Sequence, residues 1–528
     1  MQRPLWAGFI RSAERFPERP ALSVQGKIIT YQEMRELACR IAATIESHPE
    51  YSATLLTVVF AYRSPVAFAG VLGALLAGNG YVPLNRTFPL ERTRTMLERS
   101  ECQSIIVDLG SLSQLQAILS KFHRPLLILI PEIEDTKALQ AQWPMHRFVG
   151  SRTLHPSNAW RDPTTSNNSV AYLLFTSGST GTPKGVVVAQ RNVVSFVDYM
   201  VERYAITEND RFSQMFDMTF DLSAFDMFVS WERGAVLCCP SQKTLVSPSK
   251  YINDTQLTIW FSVPSTVAFM KRLGVLKARR YPSLRVSLFC GEPLPVTSAA
   301  TWLEAAPNSI VENLYGPTEL TIACTLYRWD PGRSPAESEL GVVPIGYPYP
   351  GMNVLVADSN LHEVGPGEEG ELLMNGPQMS LGYWKDPAKT TAAFVVPPGK
   401  RDAYYRTGDR VRRPRDSGPL THLGRIDFQV KVLGHRVELG EIEAVVRNAT
   451  GLDGVVAVGW PATASSFGGV EVFLDGPQTD AEILRSSVAS RLPEYMVPRR
   501  FHFMNRLPRN PNGKFDRQEL VKLLEEGL

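Results

Sequence analysis

Thiols are scarce: six cysteines in 528 residues, with no C-x-x-C pair among them. Cys39, Cys102, Cys290 and Cys324 stand alone, and the adjacent Cys238 and Cys239 suit neither a zinc site nor a disulfide framework. A reducing, cytoplasmic setting is the expectation. An excess of one charge is missing as well, because 55 Lys and Arg face 53 Asp and Glu for a net of +2. That argues against the broad basic face of a nucleic-acid-binding protein. No apolar run reaches the ~20 residues of a membrane-spanning helix. The most apolar, PVAFAGVLGALLAG, has 14 and is rich in Ala and Gly, so it reads as a buried helix. The opening MQRPLWAGFIRSAERFPERPAL scatters charges among its apolar positions and lacks the layout of a signal peptide. Repeats and low-complexity tracts are absent too, so neither nucleic acid nor membrane is an expected partner.

A chain of this length exceeds one core, which predicts a large domain and a smaller one. SIIVDLG, PLLILIPEI, VAYLLF, GAVLCCP, TIWFSVPS and RVSLFCG are short apolar runs that read as buried strands, with helical stretches between several of them. The fold class is therefore α/β, with mainly parallel sheets flanked by helices in a large N-terminal domain. From about residue 340, Pro/Gly turns and the segments PIGYPYPGMNVLVAD and GEEGELLMNG predict a small antiparallel, barrel-like section. A break near GRIDFQVKVLG divides the chain into domains 1–426 and 427–528. The second carries the helical patterns GEIEAVVRNA and DAEILRSSVASRL, which makes it a small α+β domain.

Residues 174–185, LFTSGSTGTPKG, combine glycines, hydroxyls and a lysine, the ingredients of a phosphate loop. The Walker A pattern fails, because Pro183 precedes Lys184 and Gly185 follows it. Downstream lie NLYGPTE (313–319), YRTGDRV (405–411), GRIDFQVKVLGHRVELGEIE (424–443) and NPNGKFDR (510–517). In this order and at these separations they resemble the adenylate-forming superfamily: acyl-CoA synthetases, luciferases and the adenylation domains of nonribosomal peptide synthesis. YVPLNRTFPLER, GELLMNGPQMSLGYW and LPEYMVPRRF extend the resemblance over essentially the whole chain.

The resemblance implies a ligase working in two steps. A carboxylate attacks the α-phosphate of ATP to give acyl-AMP and pyrophosphate, and a thiol then takes the acyl group. Such chemistry requires cations, N–H donors and a divalent metal, Mg²⁺, where negative charge converges. By resemblance Thr176, Ser177, Thr180 and Lys184 clamp the β- and γ-phosphates. Tyr315 packs on adenine, Thr318 contacts the α-phosphate and Glu319 binds the metal. Asp409 takes the ribose hydroxyls, with Arg425 in the same cluster. Lys514 bridges substrate carboxylate and α-phosphate, and Asp427 is the hinge about which a mobile C-terminal domain rotates. Lys431 and Gly434 then border the thiol tunnel. His435 reads as a surface histidine rather than a general base, because a carrier thiol is already appreciably nucleophilic.

The stretch FDMTFDLSAFDMF (216–228) resembles an amino-acid-activating signature that sets Asp221 opposite the substrate α-ammonium. A carboxylate at that depth needs a cation or strong donors; the alternative is a cap on a helix starting at Leu222. The family's pocket positions map to Leu222, Phe225, Ser262, Leu288, Cys290, Leu314, Ile322 and Ala323, a wall without charge. A small neutral amino acid such as cysteine, serine, alanine or proline is the expectation. Asp217, four residues before Asp221, keeps a β-amino acid open, and an acyl- or aryl-CoA ligase is the other alternative. No carrier-domain serine motif follows NGKFDRQEL, so the reading is a free-standing enzyme that loads the phosphopantetheine arm of a separate carrier protein.

Overall fold

The computed structural model describes residues 3–177, 183–426, 429–452, 454–463, 466–476, 479–509 and 515–528. Three expected site residues, Thr180, Asp427 and Lys514, lie outside the described residues. The apolar runs singled out above become strands Ser104–Val107, Leu127–Ile130, Val170–Thr176, Val236–Cys239, Ile259–Ser262 and Val286–Phe289. They fall into two sheets. One has seven strands, parallel except for the closing pair Val170–Thr176 and Lys184–Ala189. The other has nine, parallel through its centre and antiparallel at both edges. The period of two divides each strand between two cores: Ile106 joins the cluster shared by both sheets, while Ile105 and Val107 join the cluster on the outer face.

PVAFAGVLGALLAG folds as the helix Pro65–Leu76, started by Pro65 and by the Ser64 side chain, which accepts from the Ala67 N–H. Every residue from Val66 to Leu76 is buried, as an apolar all-round helix requires. Among the described residues no helix is long and apolar enough to cross a membrane. The Pro/Gly-rich stretch yields the expected antiparallel section, Asn353–Ala357, Glu369–Asn375, Phe394–Val395, Tyr404–Arg412 and Thr421–Arg425. Tyr347–Pro348 goes instead to the edge of the nine-stranded sheet. Beyond it come the hairpin Gln429–Val432/His435–Glu438, the helices Leu439–Thr450 and Ala481–Ala489, and a three-stranded sheet with its own apolar core.

Candidate active site

The described site residues gather where the parallel strands of the nine-stranded sheet end at their carboxyl termini. Open α/β sheets present ligands there, because the connecting loops splay apart at that edge. Tyr315 closes the strand Ile310–Tyr315, Ser262 closes Ile259–Ser262, and Cys290 follows Val286–Phe289.

On one side lies a cavity of about 360 Å³ bordered by Gly291, Leu314, Tyr315, Asp409, Arg425 and Lys431. Tyr315 donates its hydroxyl to Asp409 Oδ2 at 2.5 Å, Arg425 donates to Asp409 Oδ1 at 2.8 Å, and His422 Nε2 stands 3.2 Å from the same oxygen. Burial alone would raise the Asp409 carboxyl, but Arg425 and His422 hold it well below the usual carboxylate range. His422 escaped the sequence reading because a histidine alternating along a strand carries no local signal.

Glu319 forms the second centre. It is not a solvated helix-start residue: its side chain is 0% exposed. Lys184 Nζ lies 3.2 Å from Oε1, Tyr383 donates to Oε1 at 2.8 Å, and Arg436 Nη1 lies 3.0 Å from Oε2. These cations outweigh burial and hold the carboxyl far below its ordinary value, while burial lowers Lys184. Thr176 ends its strand with a buried hydroxyl that has no partner among the described residues, and Ser177 Oγ donates to the Arg436 carbonyl at 2.9 Å. A lone carboxylate fits Mg²⁺, which takes one or two carboxylates and completes its shell with substrate phosphates and water. Among the described residues no group of three His, Cys, Asp or Glu side chains forms a preassembled metal cage.

A smaller cavity, about 80 Å³, touches Asp221, Leu222, Cys290, Tyr315, Thr318 and Lys431. Asp221 precedes the short helix Leu222–Ala224 but makes no side-chain cap bond to it; its Oδ2 accepts the Ile322 N–H at 3.1 Å. Burial pushes its carboxyl up to about 7 against that hydrogen bond. Asp217, by contrast, is engaged by Asn85 at 2.9 Å and by the Thr219 hydroxyl at 2.5 Å. Of the expected pocket wall, Leu222 and Cys290 reach this cavity and Leu314 borders the larger one. Phe225, Ser262, Leu288, Ile322 and Ala323 sit behind, at most 1% exposed. Ser262 also spends its hydroxyl on the Trp260 indole N–H and the Val263 carbonyl.

Ile322 aims its N–H through unusual backbone. Thr321 and Ile322 have φ of 57° and 71°, the left-handed region that β-branched residues avoid. Gln378 holds this turn, donating to the Leu320, Thr321 and Ala323 carbonyls while accepting the Thr321 hydroxyl on its own carbonyl. Neither the strain nor Gln378 is legible without the fold, because the contacts span more than fifty positions.

The hairpin Gln429–Val432/His435–Glu438 docks over the site. Lys431 borders both cavities, its pKa lowered by burial against the opposing pull of Asp409. Gly434 turns with φ 86° so close to Val263 that a Cβ would lie 2.7 Å from Cγ1. His435 is not the surface residue expected. Its ring stacks on Tyr495 at 3.7 Å and meets Phe220 at 4.7 Å, and burial lowers its pKa to about 4. The hairpin's descent onto the larger sheet is what covers it.

Residues 9–384 match the family model described as AMP-binding enzyme, and 441–514 the model of its C-terminal domain. The chain is 29% identical to the D-alanine–D-alanyl carrier protein ligase of Bacillus velezensis, over 96% of this chain and 97% of that one. It is 30% identical to the L-proline–[L-prolyl-carrier protein] ligase of Pseudomonas fluorescens, over 98% of both. Among solved structures it is similar to the Vibrio cholerae adenylation domain AlmE in complex with glycyl-adenosine-5'-phosphate. There the TM-score is 0.88 at 32% identity, covering 100% of this chain and 98% of that one.

Proposed function

Because the chain belongs to the family of AMP-binding enzymes, we propose that it is a ligase that activates a small neutral α-amino acid as aminoacyl-AMP and passes it to the phosphopantetheine thiol of a separate carrier protein. One observation carries the reading: a buried carboxylate, Asp221, faces a cavity of about 80 Å³ that also touches Tyr315 and Thr318. A buried carboxylate seeks a cation, and a substrate ammonium supplies it. The volume leaves little room beyond the α-carbon, and the pocket-wall residues that reach the cavities, Leu222, Cys290 and Leu314, offer no charge to pair a charged side chain.

In this reading ATP lays its adenosine in the larger cavity beside Tyr315, with Asp409 accepting bonds from the ribose hydroxyls. Lys184 and the Thr176–Ser177 segment, together with Thr180, take the phosphates. Glu319 would hold Mg²⁺, which would supply positive charge to offset the phosphates. Lys514 joins that carboxylate to the α-phosphate during adenylation. Residues 427–528 then turn about Asp427, and the docked hairpin brings Lys431 and Gly434 to the adenylate. Lys431 steadies the phosphate as the thiolate attacks and AMP leaves. Asp217 is already hydrogen-bonded, which favours an α- over a β-amino acid; the same buried Asp221 disfavours an acyl- or aryl-CoA ligase, whose substrate brings no ammonium.

The test is pyrophosphate exchange over all proteinogenic, nonproteinogenic and β-amino acids, followed by incubation with candidate carriers and intact-protein mass spectrometry. The expected result is exchange with glycine or a residue of similar size and an aminoacyl mass shift on a carrier. Exchange only with large or charged amino acids, or transfer to free CoA alone, refutes the reading.

A further inference from the structure

Glu319 is asked to do two incompatible things. The proposed function, on which this inference rests, needs an oxygen of its carboxylate for Mg²⁺. In the structure Oε1 holds Lys184 at 3.2 Å and Tyr383 at 2.8 Å, and Oε2 holds Arg436 at 3.0 Å. Arg436 belongs to the docked hairpin, 117 positions further along the chain. It is fixed there on two sides, since its Nε donates to Gln429 Oε1 at 2.6 Å and its carbonyl accepts Ser177 Oγ at 2.9 Å. Docking is braced elsewhere by Arg92 and Glu441, paired at 2.7 Å with both side chains at most 5% exposed.

We propose that Arg436 is the counter-ion that replaces the metal: its guanidinium takes Glu319 when metal and pyrophosphate have left, so hairpin docking and metal binding at Glu319 exclude one another. Lys184 and Tyr383 engage only Oε1, so with the hairpin undocked and the metal gone Oε2 is a buried oxygen without a cation, which carries a desolvation cost; the exchange keeps that oxygen paired in both states. A divalent ion and a guanidinium on the same carboxylate would repel at short range in a weakly screening interior. The consequence is an order of events. Metal and pyrophosphate depart before the hairpin reaches the adenylate, and a docked hairpin prevents their return. Arg436 is thus a positioning residue, acting on the state of the site and not on the reacting atoms.

All six native cysteines are buried, so surface cysteines introduced as Lys137→Cys and Glu482→Cys accept a fluorophore pair that reports docking in the full chain. With AMP present, Mn²⁺ alone is titrated and its binding counted by electron paramagnetic resonance. In the parent protein the docked fraction falls as Mn²⁺ binds. Arg92→Met starts from a lower docked fraction and still responds. Arg436→Met loses the response and binds Mn²⁺ at least about fivefold tighter, the lower end of ordinary coupling between sites. Arg436→Lys restores the response, which separates the role from a folding defect. A parent protein that binds Mn²⁺ without undocking, an Arg436→Met variant that responds like the parent, or no Mn²⁺ binding at all overturns the proposal. Pyrophosphate exchange on the same preparation decides independently whether the proposed activity stands.

Discussion

An aspartate buried like Asp221 is held near neutrality only because its surroundings oppose ionisation. Burial raises its carboxyl to about 7 and the Ile322 N–H recovers part of that cost. The sign follows directly. A raised pKa means the free site holds a proton as pH falls below about 7, and a protonated Asp221 offers no charge to an ammonium. Under the proposed function, amino-acid binding should therefore weaken on the acid side. The expected kcat/KM profile for the amino acid has an acid limb near pH 7, whereas kcat, measured with the ammonium bound, holds to lower pH because the cation stabilises the carboxylate. Asp221→Asn should abolish the limb. Breaking a buried charge pair costs about 3–5 kcal/mol, so kcat/KM should drop by roughly two to three and a half powers of ten. An unchanged limb in the variant would assign the titration to another group.

At the scale of the element, the hairpin is the device that joins the C-terminal region to the site. Its turn depends on Gly434, whose φ of 86° suits glycine and whose missing Cβ makes room for Val263. Gly434→Ala adds both backbone strain and a 2.7 Å contact with Val263 Cγ1, which lifts the hairpin from the site. Strain of about 1–3 kcal/mol corresponds to roughly 5- to 150-fold slower transfer to the carrier. Single-turnover transfer from preformed adenylate, measured beside pyrophosphate exchange, checks this; equal loss in both halves would count against the hairpin's separate role.

For the whole molecule, the relevant surface is the one a carrier approaches. Arg499 and Arg500, near the end of LPEYMVPRRF, and Arg506 just beyond it are exposed, and carriers with acidic helices are steered by such charges. Reversing each to Glu should raise the carrier KM about 1.5- to 5-fold, from the ~0.2–1 kcal/mol of an exposed pair, and flatten its dependence on salt. Pyrophosphate exchange should not change. A carrier KM indifferent to all three reversals would place docking on another face.

The sequence by itself determined the buried strands, the apolar helix Pro65–Leu76 and the change to antiparallel structure after residue 340, because periodicity and turn residues act over a few positions. Resemblance to a known family also pointed to Lys184, Tyr315, Glu319 and Asp409, whose motifs are contiguous. Asp221 as a carboxylate held by Ile322 rather than a helix cap, the Gln378 clamp, His422 on Asp409, and His435 between Phe220 and Tyr495 were decided only in three dimensions. So was the ion pair of Arg436 with Glu319. The physical reason is common to all of them: burial, backbone strain and charge pairing are properties of neighbours in space, and these neighbours stand between 13 and 215 positions apart along the chain.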